Sequence, residues 1–277
     1  MNINKLPVIL FFTLLFCIGA WANEKEQAHV RVALISELLT VTAGQPFWIG
    51  LHFKMAPEWH IYWKNSGDSG LPPRIIWSLP EGFAADEIEW PMPQRLISDD
   101  LATYVYDDEV LLPVKIYPPK QLDRDSVTIA AKVDWLACRE ACIPGSAELS
   151  LKLRVSAEAN SGPTAAIFQK YKKALPKPLP TGDIHYSVRD SLMEIQFPTA
   201  LFPERPARLY FYPDMPFIIQ HAASQALKVY EQSVILSIPL NPYGALPDSV
   251  ISGVLEMTHK NGQTETFLLR KIKNLKN

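Results

Sequence analysis

Two cysteines four positions apart, Cys138 and Cys142, are the residues best suited to chemistry in this sequence. They sit in the segment Val133 to Pro144, VDWLACREACIP. An alternating strand pattern runs into Cys138, and Cys142 opens a turn towards the next strand. Cysteines placed in this way can bring their sulfurs within bonding reach. A disulfide in a short exposed loop is easier to reduce than a structural one. Cross-linking so few residues stabilises little, because loop-closure entropy grows with loop length. Arg139 favours a thiolate and Glu140 opposes it. The spacing is CxxxC, not the CxxC of thioredoxins, and its surroundings are strand-like rather than βαβ. Thiol–disulfide exchange is one reading. An inert local disulfide is a second, since exported proteins commonly pair their cysteines. A copper site is a third, with soft thiolates selecting Cu(I) and a His or Met completing the set. His52, Met55, His60 and Met92 are the candidates for that role. Zinc lacks four convincing ligands.

The elements that must hold the pair are strands. Val30/Val32/Leu34, Phe47/Ile49/Leu51/Phe53, Val110/Leu112/Val114/Ile116, Val127 to Trp135 and Leu149/Leu151/Leu153/Val155 each alternate with neighbours of the other kind. Period 2 marks half-buried strands. Pro-rich turns separate them, and no long helix intervenes, so βαβ units and a parallel sheet are disfavoured. Residues 156–163 are small and polar. Ile167, Phe168, Tyr171 and Leu175 then share a helical face, and the run 176–180 (PKPLP) ends it. A second strand-patterned block follows. The expected fold is all-β, with two immunoglobulin-like antiparallel β-sandwiches joined by a linker with one short helix. The expected boundaries are 23–158 for the first sandwich, 159–181 for the linker and 182–277 for the second. Trp48, Trp59, Trp63, Trp77, Trp90, Trp135 and both cysteines fall in the first block, which places the chemistry there.

The chain has 277 residues, 48% hydrophobic and 20% charged, an ordinary globular composition. Lys+Arg is 27 and Asp+Glu 29, so no cationic excess exists to neutralise phosphates, and nucleic acid is not an expected partner. Pro is frequent (24) and Gly scarce (12), which suits short strands and not a glycine-loop nucleotide enzyme. Lys5, the apolar run Val8 to Ile18 and Ala20-Trp21-Ala22 read as a cleavable signal peptide over residues 1–22. The run is too short to span a membrane. Cys17 follows the large Phe16, so lipidation is discounted. Export makes the compartment of the two remaining cysteines oxidising.

A second segment, residues 57–73 (PEWHIYWKNSGDSGLPP), is dense in aromatics and then in residues that tolerate tight turns. Read alone it is equally a strand with core aromatics or a functional surface. No G-x-S-x-G or H-E-x-x-H occurs.

Together these residues resemble a known family. Trp59-His60-Ile61-Tyr62-Trp63 with Gly67 to Pro73, Trp90-Pro91, Thr103-Tyr104-Val105-Tyr106, Val110 to Val114, and Asp134 to Cys138 with Cys142-Ile143-Pro144 are similar to the N-terminal periplasmic region of the DsbD/ScsB thiol:disulfide interchange proteins. Order and spacing are nearest the ScsB-like branch, which shares the CxxxC pair. The resemblance is strong over residues 29–155 and weaker over 182–272, where Leu209-Tyr210-Phe211-Tyr212-Pro213 and Gly253-Val254-Leu255 carry it.

The resemblance implies immunoglobulin-like sandwiches with the redox pair in the first. It implies a protein-disulfide reductase that passes electrons to exported client proteins with disulfides, in disulfide isomerisation, cytochrome c maturation or copper-stress pathways. Cys142 matches the cysteine that attacks the partner disulfide, and Cys138 the resolving one. A cap loop shields the pair in the family; the matching stretch is about Ser98 to Tyr104. Tyr104, Tyr106, His60 and Trp135 are the expected cap or surroundings. The sequence ends without the family's membrane-embedded and thioredoxin domains, so the expected electron donor is a thioredoxin-like or membrane-embedded protein on a separate chain. The expected location is the periplasm. No organic cofactor is expected, and copper belongs only to the alternative reading.

Overall fold

A computed structural model describes residues 24–179, 182–245 and 250–275. The expected signal peptide, with Cys17, lies outside them. The first block holds β1 (Lys25–Gln27), β2 (Val30–Ser36), β3 (Thr40–Val41), β4 (Phe47–Met55), β5 (His60–Gly67), β6 (Arg74–Ser78), β7 (Ala84–Ile88), β8 (Gln94–Ser98), β9 (Leu101–Asp107), β10 (Glu109–Tyr117), β11 (Ser126–Cys138) and β12 (Cys142–Val155). They form two sheets. One has the order β1-β2-β4-β10-β7. The other runs β3-β12-β11-β5-β9-β8, with β6 also on β11. Successive side chains of a strand point to opposite faces, so one parity goes inward. In β11 and β12 that parity is Val127, Ile129, Ala131, Val133, Trp135 and Ala137 with Ala147, Leu149, Leu151 and Leu153. Val32, Leu34, Ile49, Leu51 and Phe53 meet them from the other sheet in one core. This is the all-β sandwich that the alternation predicts.

The helix α1 (Ala165–Ala174) does not float between blocks. Its apolar face buries Phe168 and Tyr171 in the first core. The Tyr171 hydroxyl donates to the Glu109 carbonyl (2.8 Å), and Lys172 pairs with Glu37 (2.8 Å). Burying one Phe side chain is worth about 1.5–3 kcal/mol, enough to strap a short helix that would be marginal alone.

The second block holds β13 (Lys177–Pro178), β14 (His185–Arg189), β15 (Leu192–Pro198), β16 (Arg208–Pro213), β17 (Ala226–Val229), β18 (Ser233–Pro239), β19 (Val250–Thr258) and β20 (Thr264–Asn274). They make one sheet, ordered β16-β19-β20-β14-β15-β18-β17, with β13 on β20. β14 joins β20 only through His185↔Lys273 and Tyr186↔Asn274. The two halves therefore fold over a core that draws Phe211 and Leu255 from one half and Ile195, Phe197 and Leu236 from the other.

The two blocks are joined by a buried aromatic and polar seam. Trp63 meets Tyr104 and Tyr212 edge-on, with ring centroids 5.9 and 6.3 Å apart. Arg95 donates to the carbonyls of His221 (3.0 Å) and Ala222 (2.9 Å) and lies over the Tyr210 ring. Asn65 is 1% exposed and donates to the carbonyls of Pro213 (2.8 Å) and Met215 (3.1 Å). His221, wholly buried, sets Nδ1 2.9 Å from the Tyr104 hydroxyl. Buried polar groups are costly unless paired, so each contact fixes the seam in one geometry.

The seam carries a pH dependence. Burial holds the His221 imidazole below its ordinary 6.5, while Asp68 pulls it up and Arg95 pushes it further down. The folded chain refuses a proton that the unfolded chain accepts. Stability from this group is complete above about pH 6.5 and falls as the pH drops below it. The urea midpoint is expected to fall between about pH 7.5 and 5.5, and His221→Gln to lose part of that slope. Equal slopes in the two proteins would show that His221 does not set it.

Candidate redox site

Every residue of β11 is paired with β12, from Ser126↔Arg154 to Cys138↔Cys142 at the tip. Arg139, Glu140 and Ala141 make the turn, closed by the Arg139 amide donating to the Ala141 carbonyl (3.2 Å). The cysteines are direct cross-strand partners with Cα atoms 4.1 Å apart, and they are disulfide-bonded. Such closeness belongs to directly opposed residues of a non-hydrogen-bonded pair. Their exposure differs sharply. Cys138 is 3% exposed, whereas Cys142, Ile143 and Pro144 all lie open to solvent. Arg139 is engaged by Glu58 (3.1 Å) and Glu140 (3.5 Å), so its charge is shared with two carboxylates.

Cys138 lies outside the main core, in a small cluster with Tyr62, Val105 and Leu136. His60 of β5 stands opposite Cys138, and Asp107 of β9 stands opposite His60. The Asp107 carboxylate accepts from Gln94 Nε2. The His60 and Tyr62 rings meet edge to face at 5.3 Å. The Tyr62 hydroxyl reaches Cys142 Sγ at 3.8 Å. Burial raises the Tyr62 pKa above 10.0, partly offset by a hydrogen bond from Ser69, so the phenol stays protonated and can donate to sulfur.

A loop closes over this tyrosine. After His60 the chain leaves β11, and at Arg74 it returns to the same strand as β6. Gly67 and Gly70 both have positive φ, +80° and +95°. At Gly70 a Cβ would stand 2.1 Å from the Tyr62 ring, so only glycine lets the backbone lie on it. The loop is pinned by the Asp68 amide on the Ala102 carbonyl (2.9 Å), by the Asp68 carboxylate on the Ala102 amide (2.7 Å), and by the Gly67 amide on Asn65 Oδ1 (3.0 Å). Asn65 thereby ties the loop to the second block.

Of the expected surroundings, His60 alone shares the face of the disulfide. Trp135 differs from Cys138 by an odd number of positions, so it points into the inter-sheet core, where it meets Phe53 and underlies Gly145. Tyr104 and Tyr106 flank Val105, and strand alternation sends Val105 to the disulfide and the tyrosines inward. Tyr106 donates to the Pro91 carbonyl (2.6 Å), and Tyr104 belongs to the seam with Tyr210 and His221. The stretch Ser98–Tyr104, expected as the cap, is the β8–β9 turn and the start of β9; the segment lying on the site is Gly67–Gly70. Tyr62 and Val105 went unmarked in the sequence, although parity with His60 and with Cys138 would have found Tyr62. Of the residues named for copper, His60 stands beside the cysteines, whereas His52 pairs with Glu109 (3.0 Å) on the other sheet and Met55 is buried there. Among the described residues no group of three or more His, Cys, Asp or Glu is placed to hold a metal ion.

Residues 33–154 match the family described as thiol:disulfide interchange protein DsbD, N-terminal. This span is DsbD N-terminal-like. It includes both cysteines, His60, Tyr62 and the covering loop. The N-terminal periplasmic domain of ScsB from Proteus mirabilis superposes with a TM-score of 0.63 at 16% identity, covering 91% of this chain and 98% of that one. The shared fold thus extends through the second block. A conserved domain protein from Bacillus anthracis (TM-score 0.26, 10% identity, 89% and 84% covered) and the periplasmic chaperone SfaE (TM-score 0.24, 10% identity, 88% and 98% covered) are more distant. None of the curated proteins compared with the chain matches it. Among the described residues no helix is long and apolar enough to cross a membrane.

Gly70→Ala tests the hold of the loop on this site. The added methyl must displace Tyr62, at a cost of about 1–3 kcal/mol. Stability is expected to fall by that amount, and dithiothreitol to reduce the disulfide faster as Cys142 loses its contact with the tyrosine hydroxyl. Unchanged reduction kinetics would show that the loop does not guard the sulfur.

Proposed function

We propose that the chain is a periplasmic protein-disulfide reductase that relays electrons through Cys138 and Cys142. The observation that carries this reading is the unequal exposure of the two sulfurs. Cys142 is open to a partner, while Cys138 is enclosed and bonded to Cys142. In the reduced state Cys142 attacks a client disulfide as thiolate. A mixed disulfide forms, and one client sulfur leaves with the electron pair and takes up a proton. Cys138 then attacks Cys142, forms the intramolecular disulfide and releases the second client thiol. Two electrons pass to the client, and the cysteine pair ends oxidised. The Tyr62 hydroxyl stabilises charge on Cys142 by hydrogen bonding. The chemistry needs no organic cofactor.

Re-reduction draws on a thioredoxin-like or membrane-embedded donor on a separate chain, and the clients are exported proteins with disulfides. The second block orients the first through Asn65 and the seam. Periplasmic location is supported by the signal-like residues 1–22 and by the likeness to the ScsB periplasmic domain.

Equilibration of the purified protein against glutathione measures the couple directly. The expected reduction potential lies in the range of exchange catalysts, about −120 to −270 mV. A value below about −300 mV would mark a structural disulfide and overturn the reductase reading. Cys138→Ser is expected to accumulate mixed disulfides with client proteins, and Cys142→Ser to form none.

A further inference from the structure

Resolution of the mixed disulfide poses a proton problem. Cys138 must attack as thiolate, yet its neighbours are the buried Tyr62 and Val105 and the half-buried Leu136. An apolar enclosure disfavours the charged sulfur and leaves little water to carry the proton away. One side chain on that face is built to accept it. His60 is the direct cross-strand partner of Cys138. Opposed residues share a face, with Cβ atoms roughly 4.5–5.5 Å apart. The edge-on packing of the His60 ring against Tyr62, whose hydroxyl touches Cys142 Sγ, places the imidazole in the same cluster as both sulfurs.

We propose that His60 is the general base that deprotonates Cys138 for the resolving step, with Asp107 as the carboxylate that steadies the imidazolium. This rests on the exchange reading above. In the step, an imidazole nitrogen takes the proton of the Cys138 thiol. The Cys138 sulfur attacks Cys142 Sγ, and the Cys138–Cys142 bond forms. The bond between Cys142 and the client sulfur breaks, and its electron pair leaves on that sulfur, which takes the proton back from the imidazolium. The same nitrogen is then free for the next cycle.

The charges around His60 fit the role. Burial lowers its pKa below 6.5 and Asp107 raises it, so the ring is neutral at pH 7 and holds a free lone pair. From β11 it faces its register partner Cys138; from β9 it faces Asp107, already held by Gln94. Tyr62 on its own strand stays protonated. Glu58, from the turn before β5, is occupied with Arg139 of the cysteine turn, whose second carboxylate is Glu140.

The test uses the full reduced chain and the aromatic disulfide dithiobis-nitrobenzoate, and needs no protein partner. Attack by Cys142 releases one thionitrobenzoate; resolution by Cys138 releases a second. Wild type is expected to show two phases, the second rising with pH through the titration of His60. His60→Gln is expected to slow the second phase roughly 10²-fold relative to the first and to remove that pH limb. Asp107→Asn keeps the base but removes the carboxylate that raises its pKa, so the limb moves to lower pH. A second phase untouched by His60→Gln, or equal slowing of both phases with the pH profile intact, overturns the assignment. Absence of any second release from the wild type overturns instead the exchange reading on which it rests.

Discussion

The register that sets Cys138 opposite Cys142 governs the rest of the site. It puts two sulfurs side by side at the tip of a long, fully paired hairpin, where the backbone has little freedom to separate them. It also decides the company they keep. Strand parity then admits Leu136, His60, Tyr62, Val105 and Asp107 to their face and sends Trp135, Tyr104 and Tyr106 to the other. A slip of one residue in β11 would turn Leu136 and Cys138 into the core and Trp135 and Ala137 outward. The hydrophobic face of β11 and β12 forbids that slip, so packing far from the cysteines specifies chemistry at them.

Asn65 extends the constraint across the molecule. One buried amide donates twice to the second block and accepts once from the covering loop. Each bond satisfies a group that would otherwise be buried unpaired. The loop inherits its position from that amide and from Ala102, and Tyr62 inherits its position from the loop. The second block thus shapes the cysteine face through Asn65.

Much of this was legible in the residues. The alternation from Val127 to Trp135 and from Leu149 to Val155 gave both long strands, and the 3.6-residue spacing of Ile167, Phe168 and Tyr171 gave the helix. The cysteine pair was evident from type and spacing, and the motif from Trp59 to Pro73 was evident as a unit. What escaped was tertiary. Tyr104 looks like a cap because it closes the expected cap stretch, but it packs with Tyr210 and His221, more than a hundred positions away. The glycines of the covering loop read as turn formers. Their reason, close approach to a tyrosine ring, requires knowing that β5 departs from β11 and that β6 returns to it. Asn65 read as one polar residue in a turn, since its partners are backbone carbonyls that carry no side-chain signature.

Asn65 also imposes a sequence of events in time. A chain is made from its N-terminus, so the hairpin that carries both cysteines is complete before Pro213 and Met215 have been synthesised. Until they arrive, the amide that should position the covering loop lacks two of its partners, and Tyr62 lacks a firm seat over Cys142. The newborn cysteine face is therefore assembled in outline first and finished last. Its finished form appears only once the C-terminal block has folded against it, which makes that block a maturation step for the site.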